Sequence, residues 1–545
     1  MEKQKPTADS LARIGLGVAL AASAAFLFHY RHEIDFVADD WWFIRDRSSG
    51  GIDTLLAPHS EHIAFVPVIL YRLSFALFGL ESAIPLHVLS LAVFLASVVA
   101  FFVYLRDQIG EPAAALVSIA ILFMGTAYHD LLWTFQIGYS LSILFGLVAL
   151  IALDREERWS RPAGCLALLV AVTSSSLGLP FMVGAAVQLF CREGLSIWRN
   201  YVLLVPSLTF LLWYFVKGTE AESYVSFENA LGIPAYLYES LEAVATGLAG
   251  IHALPSPFEE ILGIAAVLVV VAAVSTQLWR TKSLPVQFLV GLAAGLTFWV
   301  LIALNQPDGI GRPADLSRYQ YPGAIFLIMI IAGAFTGSRL KGKGLAALGT
   351  LVAVALVAGL SPFSEGAKLL RTGADYSTAS ITALGLAGER AVPEGEVTLV
   401  PFFDLTLRRD RYLSLESRYG LPEFSEEEIP GLDGGLRSKI DVDLMNLLGL
   451  GLKSGPAASR DCRTIPAGTE VPAATTTGGR FSFRSRSSGY EVRASRFAPG
   501  TLTLGRGRAG ETRTLTIPPD DANTPWRIFV TSDGPVRFCE SGKGT

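Results

Sequence analysis

The chain has 545 residues, of which 51% are hydrophobic and only 17% are charged, so it is far more apolar than an ordinary soluble domain. Its formal net charge is -5, which gives no basic surface of the kind that nucleic-acid binding needs. Composition therefore favours a membrane protein and excludes nucleic acid as a partner.

Apolar runs of membrane-spanning length recur up to residue 361. A span needs roughly 20 residues, and we predict about eleven such helices. They lie near 11–28, 82–104, 113–127, 135–153, 163–174, 179–191, 201–216, 259–278, 285–304, 321–336 and 344–361. The pair 163–174 and 179–191 is short, which predicts two half-length helices that meet inside the bilayer.

Basic residues recur in every second loop between these spans. With a cytoplasmic N-terminus, the inside loops are all basic, as the positive-inside rule requires. These residues are Lys3, Lys5, Arg106, Arg155, Arg158, Arg161, Arg192, Arg199, Arg280, Lys282, Arg339, Lys341 and Lys343. An odd number of spans then places 362–545 outside the cell. We interpret 11–28 as an uncleaved anchor, although Ala21 to Ala25 is similar to a signal cleavage region.

Two further apolar stretches are poor spans. The first, 64–80, contains Pro67 and Arg72, and the second, 221–252, alternates apolar and acidic positions around Pro234. Both are predicted to be helices that lie along the outer surface.

The first outer loop contains an acidic pair, Asp39 and Asp40, directly before Trp41 and Trp42. Tryptophans are typical of the membrane interface. A carboxylate there can accept a proton from an attacking hydroxyl or hold a divalent cation. Adjacent residues point apart, so one is expected to act as base and the other to orient or bind metal. The alternative is a solvated acidic pair beside tryptophan anchors.

Other outer-face carboxylates and imidazoles are candidates for substrate or metal binding. His59, Glu61 and His62 do not have the HExxH spacing of a zinc site, and they could bind sugar hydroxyls or a lipid phosphate. The alternative is a polar cap on the following helix. Asp130 is the one carboxylate in a short loop between spans, where an idle charge is costly. The alternative is that the Asp130 side chain extends to the membrane–water interface and has no function.

Arg312, Arg318 and Tyr319 lie in a late outer loop, where cations oppose the positive-inside trend. A phosphate ligand would explain them, because guanidinium groups bind phosphate by two parallel hydrogen bonds. The alternative is pairing with Asp308 or Asp315.

The tail, 362–545, begins with helical sequence and then alternates apolar and polar residues between Gly- and Pro-rich turns, which predicts a β-sandwich-like domain. Cys462 and Cys539 are its two cysteines and are a disulfide candidate in an oxidising compartment. The domain could bind acceptor glycan or cover the active cleft.

Four segments of the sequence, by their order along the chain and their placement relative to the predicted spans, resemble the polytopic glycosyltransferases of the GT-C fold. The resemblance is in particular to bacterial relatives of protein O-mannosyltransferases and lipid A aminoarabinose transferases. The four segments read DDWWF, HSEHIAFVPVILYRL, HDLLWTFQIGYSL and SRYQYP. The resemblance covers roughly residues 10 to 361. It implies that they form a multi-pass, GT-C-like catalytic domain in the inner (plasma) membrane of a bacterial cell. It implies transfer of a sugar from a polyprenyl-phosphate donor to a glycan, lipid or protein acceptor outside.

The resemblance also implies roles for individual residues. Asp39 or Asp40 would be the base, and Asp130 is similar to the second-loop acidic position of some members. Arg312 and Arg318, with Tyr319, would hold the donor phosphate. A divalent metal, Mg²⁺ or Mn²⁺, is the cofactor that it allows, although the chain departs from the family in having no clear DxD motif. Membrane lipids are further partners.

A transporter or flippase of a lipid-linked or small polar substrate is the alternative from another functional class. It predicts charged residues near the centres of several spans and a pair of related repeats. The predicted spans are almost free of charge at their centres, and the sequence shows no obvious internal repeat.

Overall fold

The computed structural model describes residues 7–194, 201–307, 312–456, 461–520 and 523–541. Lys3, Lys5, Arg199 and Asp308, which enter the sequence predictions, lie outside the described residues. The chain divides into two compact units, and the second takes two segments from the N-terminal part. The first unit is Met1–Glu33, Asp46–Ser74 and Ile84–Leu370, and the second is Ile34–Arg45, Phe75–Ala83 and Arg371–Thr545.

The α-helices in chain order are α1 Ala8–Arg31, α2 Asp39–Trp42, α3 Ile52–Leu56, α4 Phe65–Phe78, α5 Ile84–Ile109, α6 Glu111–Leu122, α7 Tyr128–Leu132, α8 Ile137–Leu153, α9 Ser160–Ser174, α10 Gly178–Glu193, α11 Tyr201–Val216, α12 Phe227–Ala249, α13 Phe258–Thr281, α14 Val286–Leu304, α15 Ser317–Ala334, α16 Lys343–Ala358, α17 Leu360–Ala387, α18 Arg409–Tyr419 and α19 Gly434–Leu447.

The strands are β1 Glu396–Val400, β2 Leu405–Arg408, β3 Lys453–Ser454, β4 Cys462–Ile465, β5 Gly468–Thr476, β6 Gly479–Ser485, β7 Tyr490–Ser495, β8 Leu502–Gly507, β9 Thr512–Ile517, β10 Trp526–Ser532 and β11 Val536–Ser541.

Each of the predicted spans overlaps a helix, although 113–127 continues past the end of α6 and 344–361 continues from α16 into α17. The predicted 201–216 has the same bounds as α11, and 259–278 lies within α13. Six helical segments of the described chain are long and apolar enough to cross a membrane, and the bent pair Glu111–Leu122 and Gly125–Leu132 would make a seventh. The chain is therefore a helical membrane protein. The larger count of about eleven stays a prediction, since helices such as α9 have only 15 residues.

The first unit packs its helices around aromatic and aliphatic side chains. Helix α14 lies against α10 and α15, and α8 lies against α5 and α9. At the centre, the Phe326 ring lies 5.1 Å from that of Phe181 and 5.3 Å from that of Phe298, measured between centroids. Apolar side chains of α13 are instead exposed, as expected of a helix in contact with lipid; they include Ile261, Leu262, Ile264, Leu268, Val269 and Val271.

The second unit contains two antiparallel sheets and a short hairpin, β1–β2. One sheet has the strand order β5-β10-β7-β8 and the other β3-β9-β6-β11-β4. Buried and exposed residues alternate along β10, as they do in a strand with one face in a core. A hydrogen bond of 2.7 Å from the Tyr490 hydroxyl to the Phe483 carbonyl joins the two sheets. The predicted β-rich C-terminal domain is confirmed.

Cys462 and Cys539 form a disulfide, with their Cα atoms 4.0 Å apart. They are directly paired residues of β4 and β11. The predicted partners are therefore the bonded ones. A cross-link that closes a long loop stabilises the fold mainly by restricting the unfolded chain.

The C-terminal segment of the second unit begins at Arg371, and the predicted boundary after residue 361 falls within the first unit. The reason is helix α17, which runs through 361 without a break. Two N-terminal segments join this unit because their aromatic side chains pack there. Phe36 and Phe75 are 1% and 2% exposed, and their rings lie 6.4 Å apart.

Candidate functional site

A cavity of about 460 Å³ lies among the helices of the first unit. Much of its wall is apolar and is formed by Leu177, Leu179, Pro180, Phe210, Phe298, Leu301, Ile302 and Leu304. Polar side chains also line it, among them Glu61, His62, Tyr139, Ser176, Asn305, Arg312 and Tyr319. Such a cavity suits a ligand that has both a polar group and an apolar chain.

A tight turn brings Glu61 and His62 to the cavity. The backbone N–H of His59 donates to the His62 carbonyl and that of His62 to the His59 carbonyl, each at 2.9 Å. Ser60, inside the turn, has a φ of 49°, in the left-handed region that few side chains adopt. The His59 ring packs against Phe135, with centroids 4.9 Å apart. Of the three predicted residues, Glu61 and His62 line the cavity and His59 supports them.

Glu61 pairs with Arg312 across 251 residues of sequence. Nη1 of Arg312 contacts Oε1 of Glu61, and Nη2 donates to Oε2 at 3.2 Å. Burial opposes ionisation of Glu61, but His62 and the Arg312 guanidinium outweigh it and lower the pKa of the carboxyl to about 2. The backbone of Arg312 is also held, because its N–H donates to Gln306 Oε1 at 2.9 Å and its carbonyl accepts from the Tyr236 hydroxyl at 3.1 Å.

His62 connects this ion pair to a break between two helices. Its Nδ1 is hydrogen-bonded to the Ser176 hydroxyl, and its Nε2 lies 3.7 Å from Glu61 Oε1. Burial lowers the pKa of His62, with Glu61 opposing and Arg312 adding to the shift. The ring is therefore expected to be neutral at pH 7 and able to share a proton with a ligand hydroxyl.

Ser176 lies where α9 ends and α10 begins, the pair of short helices that the sequence predicted. Gly178 permits this arrangement, since a Cβ there would come within 2.5 Å of the Ala171 backbone. Only glycine allows such a close approach. Whether the two helices meet at mid-bilayer depth stays a prediction, but the break between them lines the cavity.

Arg318, Tyr319 and Asp130 lie on the same side of the first unit. Tyr319 lines the cavity, and its ring centroid is 5.2 Å from the Arg318 guanidinium carbon. The charge of Arg318 acts on both His62 and Asp130. Asp130 is only 2% exposed, and neither of its carboxylate oxygens accepts a hydrogen bond from the described residues.

Asp39 and Asp40 belong to the second unit. Asp40 is fully buried, and its Oδ2 accepts the Val37 N–H at 3.0 Å, just before the short helix α2. The same segment is held by Arg45, which donates to the Thr406 carbonyl at 3.0 Å. The roles predicted for Asp39 and Asp40 stay predictions, and this geometry gives Asp40 a structural task as well.

The predicted divalent metal gains no ligand set here. In the ranges that the structure describes, no three His, Cys, Asp or Glu side chains come together as ligands of one ion. Both oxygens of Glu61 are engaged by Arg312, and the Nδ1 of His62 by Ser176. In this arrangement these side chains do not fit a metal ion, and no catalytic step is assigned to one.

Sequence reasoning missed Tyr139, Ser176 and Asn305 as cavity residues. The interruption between two short apolar runs could have indicated Ser176. The sequence prediction used that interruption only to place a break between two helices. Tyr139 and Asn305 are single polar residues near the ends of apolar helices, a pattern common to many spans. Their position at the cavity follows only from long-range packing.

No protein-family model, curated protein or solved structure matches this chain.

Proposed function

We propose that this chain is a membrane glycosyltransferase that moves a sugar from a polyprenyl-phosphate donor to an extracytoplasmic glycan, lipid or protein acceptor. The amphipathic cavity of the first unit carries the proposal. Its apolar wall suits a lipid chain, and Arg312 provides the fork that a phosphate needs. Its volume, about 460 Å³, is in the usual range for small-ligand sites, enough for a sugar-phosphate head group but not for a whole polyprenyl chain.

The chemistry requires an acid–base group and cations at one place. The acceptor hydroxyl attacks the anomeric carbon, and its proton passes to a carboxylate. The bond between the anomeric carbon and the phosphate oxygen breaks, and the electron pair leaves with the phosphate. Arg312 and Arg318 would stabilise that charge, an effect often worth about 3 kcal/mol for one well-placed donor.

Glu61 is the carboxylate best placed to take the proton inside this cavity. It lies beside His62 and Arg312, so base and phosphate site are adjacent. The neutral His62 and the hydroxyl groups of Ser176 and Tyr139 suit hydrogen bonds to sugar hydroxyls. Asp39 or Asp40 remains the base that the family resemblance implies, and the two assignments make different predictions for the same assay.

We also propose the finer topology that belongs to this function: about eleven spans, a cytoplasmic N-terminus, and a GT-C-like first unit whose cavity opens to the outer leaflet. Support comes from the basic loops, which recur at every second connection. The second unit would then be extracytoplasmic, a compartment in which the Cys462–Cys539 disulfide persists.

The test is sugar transfer in proteoliposomes from a panel of synthetic polyprenyl-phosphate sugars. The variants are Arg312→Ala, Glu61→Gln, Asp39→Asn and Asp40→Asn. Arg280→Ala is the matched control, because Arg280 is an exposed residue in the last turn of α13. We expect transfer by the wild type and the control and loss in Arg312→Ala.

Two results would contradict the proposal. Folded wild type that transfers no sugar from any donor of the panel would remove the transferase assignment, and lipid translocation without transfer would favour the flippase instead. If transfer occurs, loss in Glu61→Gln with normal rates in Asp39→Asn and Asp40→Asn would make Glu61 the base, and the reverse pattern would return that role to the acidic pair.

A further inference from the structure

The phosphate site of the cavity is already filled by one of the protein's own side chains. Glu61 uses both carboxylate oxygens on the two terminal nitrogens of Arg312. The two side chains are 22% and 16% exposed, so the pair is largely removed from water. The face of the guanidinium that its two terminal nitrogens form cannot hold a phosphate while it holds this carboxylate.

The charges around the cavity favour a phosphate that replaces Glu61 at Arg312 over a phosphate that binds beside Glu61. Two guanidinium groups, Arg312 and Arg318, act here together with two inner carboxyl groups, Glu61 and Asp130, but burial raises the pKa of Asp130 well above its usual value, so Glu61 is the ionised one. Glu222 also lines the cavity, but it is exposed and accepts from the Tyr224 hydroxyl. A phosphate bound beside an ionised Glu61 would place two anions at the same guanidinium in a poorly solvated place, which is costly.

Only one of the two inner carboxyl groups can give way to a ligand. Asp130 is 2% exposed and is not part of the cavity wall, whereas Glu61 lines the cavity. The Arg312 backbone is fixed by Gln306 and Tyr236. The Glu61 backbone is likewise held in the turn from His59 to His62, so the exchange needs only a rotation of the Glu61 side chain away from the guanidinium.

We propose that Glu61 is a displaceable counter-ion of Arg312: the phosphate of a lipid-linked donor takes over the guanidinium, and the released carboxylate becomes free to accept the proton of the acceptor hydroxyl. This inference rests on the proposed function, because it assigns the phosphate to that function's donor. A carboxylate bound through both oxygens is a poor proton acceptor, so binding of the donor is what would prepare the base. The acceptor would then react only when a donor is present.

Affinity and turnover should consequently move in opposite directions in Glu61→Gln. Removing the competing carboxylate is expected to tighten binding of undecaprenyl monophosphate about tenfold, because the binding-competent state is no longer a minor one. Loss of the proton acceptor is expected to lower kcat about 100-fold. Glu228→Gln is the matched control, since Glu228 is exposed in the first turn of α12; both quantities should equal those of the wild type.

The measurements use the full chain in nanodiscs, with undecaprenyl monophosphate as the binding probe and sugar transfer as the kinetic readout. Glu61→Asp provides a second variant should the amide variant fold poorly, because it keeps the charge but shortens the side chain. We expect its phosphate affinity to lie between those of the wild type and Glu61→Gln.

Unchanged or weaker phosphate binding in both Glu61 variants would overturn the exchange, and so would an unchanged kcat in Glu61→Gln. These results differ from failure of the proposed function, in which the wild type itself transfers no sugar. Wild type that transfers sugar while its Glu61 variants bind the probe no more tightly would leave the transferase assignment standing and remove this inference alone.

Discussion

The two units bury charge in different ways. In the second unit, Arg496 and Asp520 are 1% and 3% exposed and pair at 2.8 Å. Asp441 accepts the backbone N–H groups of three consecutive residues, 496 to 498, at 2.7 to 3.1 Å. Each charge there faces a set of partners fixed by the fold.

In the first unit, one ion pair stands beside empty volume and one buried carboxyl group lacks hydrogen bonds from the described residues. Asp130 has no hydrogen-bond donor on either oxygen among the described residues, and Glu61 and Arg312 line a cavity. A buried polar group without fixed partners is costly, and in native proteins it calls for an explanation such as a catalytic role or an unseen ligand. The contrast teaches that charge in the second unit holds the fold, whereas under the proposed function the ion pair at the cavity would serve binding and catalysis.

The largest expected effect is that of Arg312→Ala on sugar transfer, a loss of about 100- to 1,000-fold. Arg312→Lys should recover only part of it, because an ammonium group cannot form two parallel hydrogen bonds to one phosphate. Initial rates in proteoliposomes measure both. Equal rates in the alanine variant and the wild type would contradict a role of the cavity charge in sugar transfer.

The second effect concerns stability alone. Replacing Cys462 and Cys539 by Ser opens a loop with a sequence separation of 77, which should cost about 4 kcal/mol and lower the unfolding temperature of the second unit by about 10 °C. Thermal unfolding of the full chain measures it. Binding of undecaprenyl monophosphate at 20–25 °C should not change, and a parallel loss of binding would contradict the separation of roles.

A smaller loss is expected for Asp441→Asn. The amide cannot offer two charged oxygens to the three N–H groups, and the substitution should destabilise the second unit by about 2 kcal/mol. Asp410→Asn is the matched control, since Asp410 is exposed and its ion pair within the described ranges is with the exposed Arg408. A fall in denaturation midpoint no larger than that of the control would show that the Asp441 bonds contribute little.

The smallest effect depends on pH. Burial raises the pKa of Glu423 from 4.5 to about 7, with Tyr412 opposing and Glu416 adding to the shift. Because the unfolded chain releases this proton near pH 4.5 and the folded one near 7, Glu423 destabilises the fold increasingly between these values. Glu423→Gln should therefore match the wild type at pH 4 and be more stable above pH 7, only slightly because Glu423 is exposed and solvent screens the effect. An equal difference at both pH values would contradict this assignment.

The sequence predicted the helices well because apolar runs are local signals. Helix α11 has the predicted bounds, and even the short α9 and α10 were predicted as separate helices. It could not decide how many of them span, since length and hydropathy are marginal for helices of 15 or 16 residues.

The candidate site was predicted as a set of residues but not as a geometry. Glu61, His62, Arg312 and Tyr319 were selected by charge and loop position, and the structure places them around one cavity. Their pairing was not predictable: the sequence predicts a phosphate ligand for Arg312, with a nearby aspartate as the alternative, and the structure shows a contact with Glu61, 251 residues away. Local patterns carry no information on such pairs.

The divided sequence of the second unit has a consequence for biosynthesis. Ile34–Arg45 and Phe75–Ala83 complete their unit only with residues after Arg371, so their aromatic side chains must wait for nearly the whole chain to be made. At ordinary translation rates this delay is on the order of tens of seconds. Truncation before residue 371 would leave these two segments permanently without their packing partners, and they are where a shortened protein should first be cut by proteases.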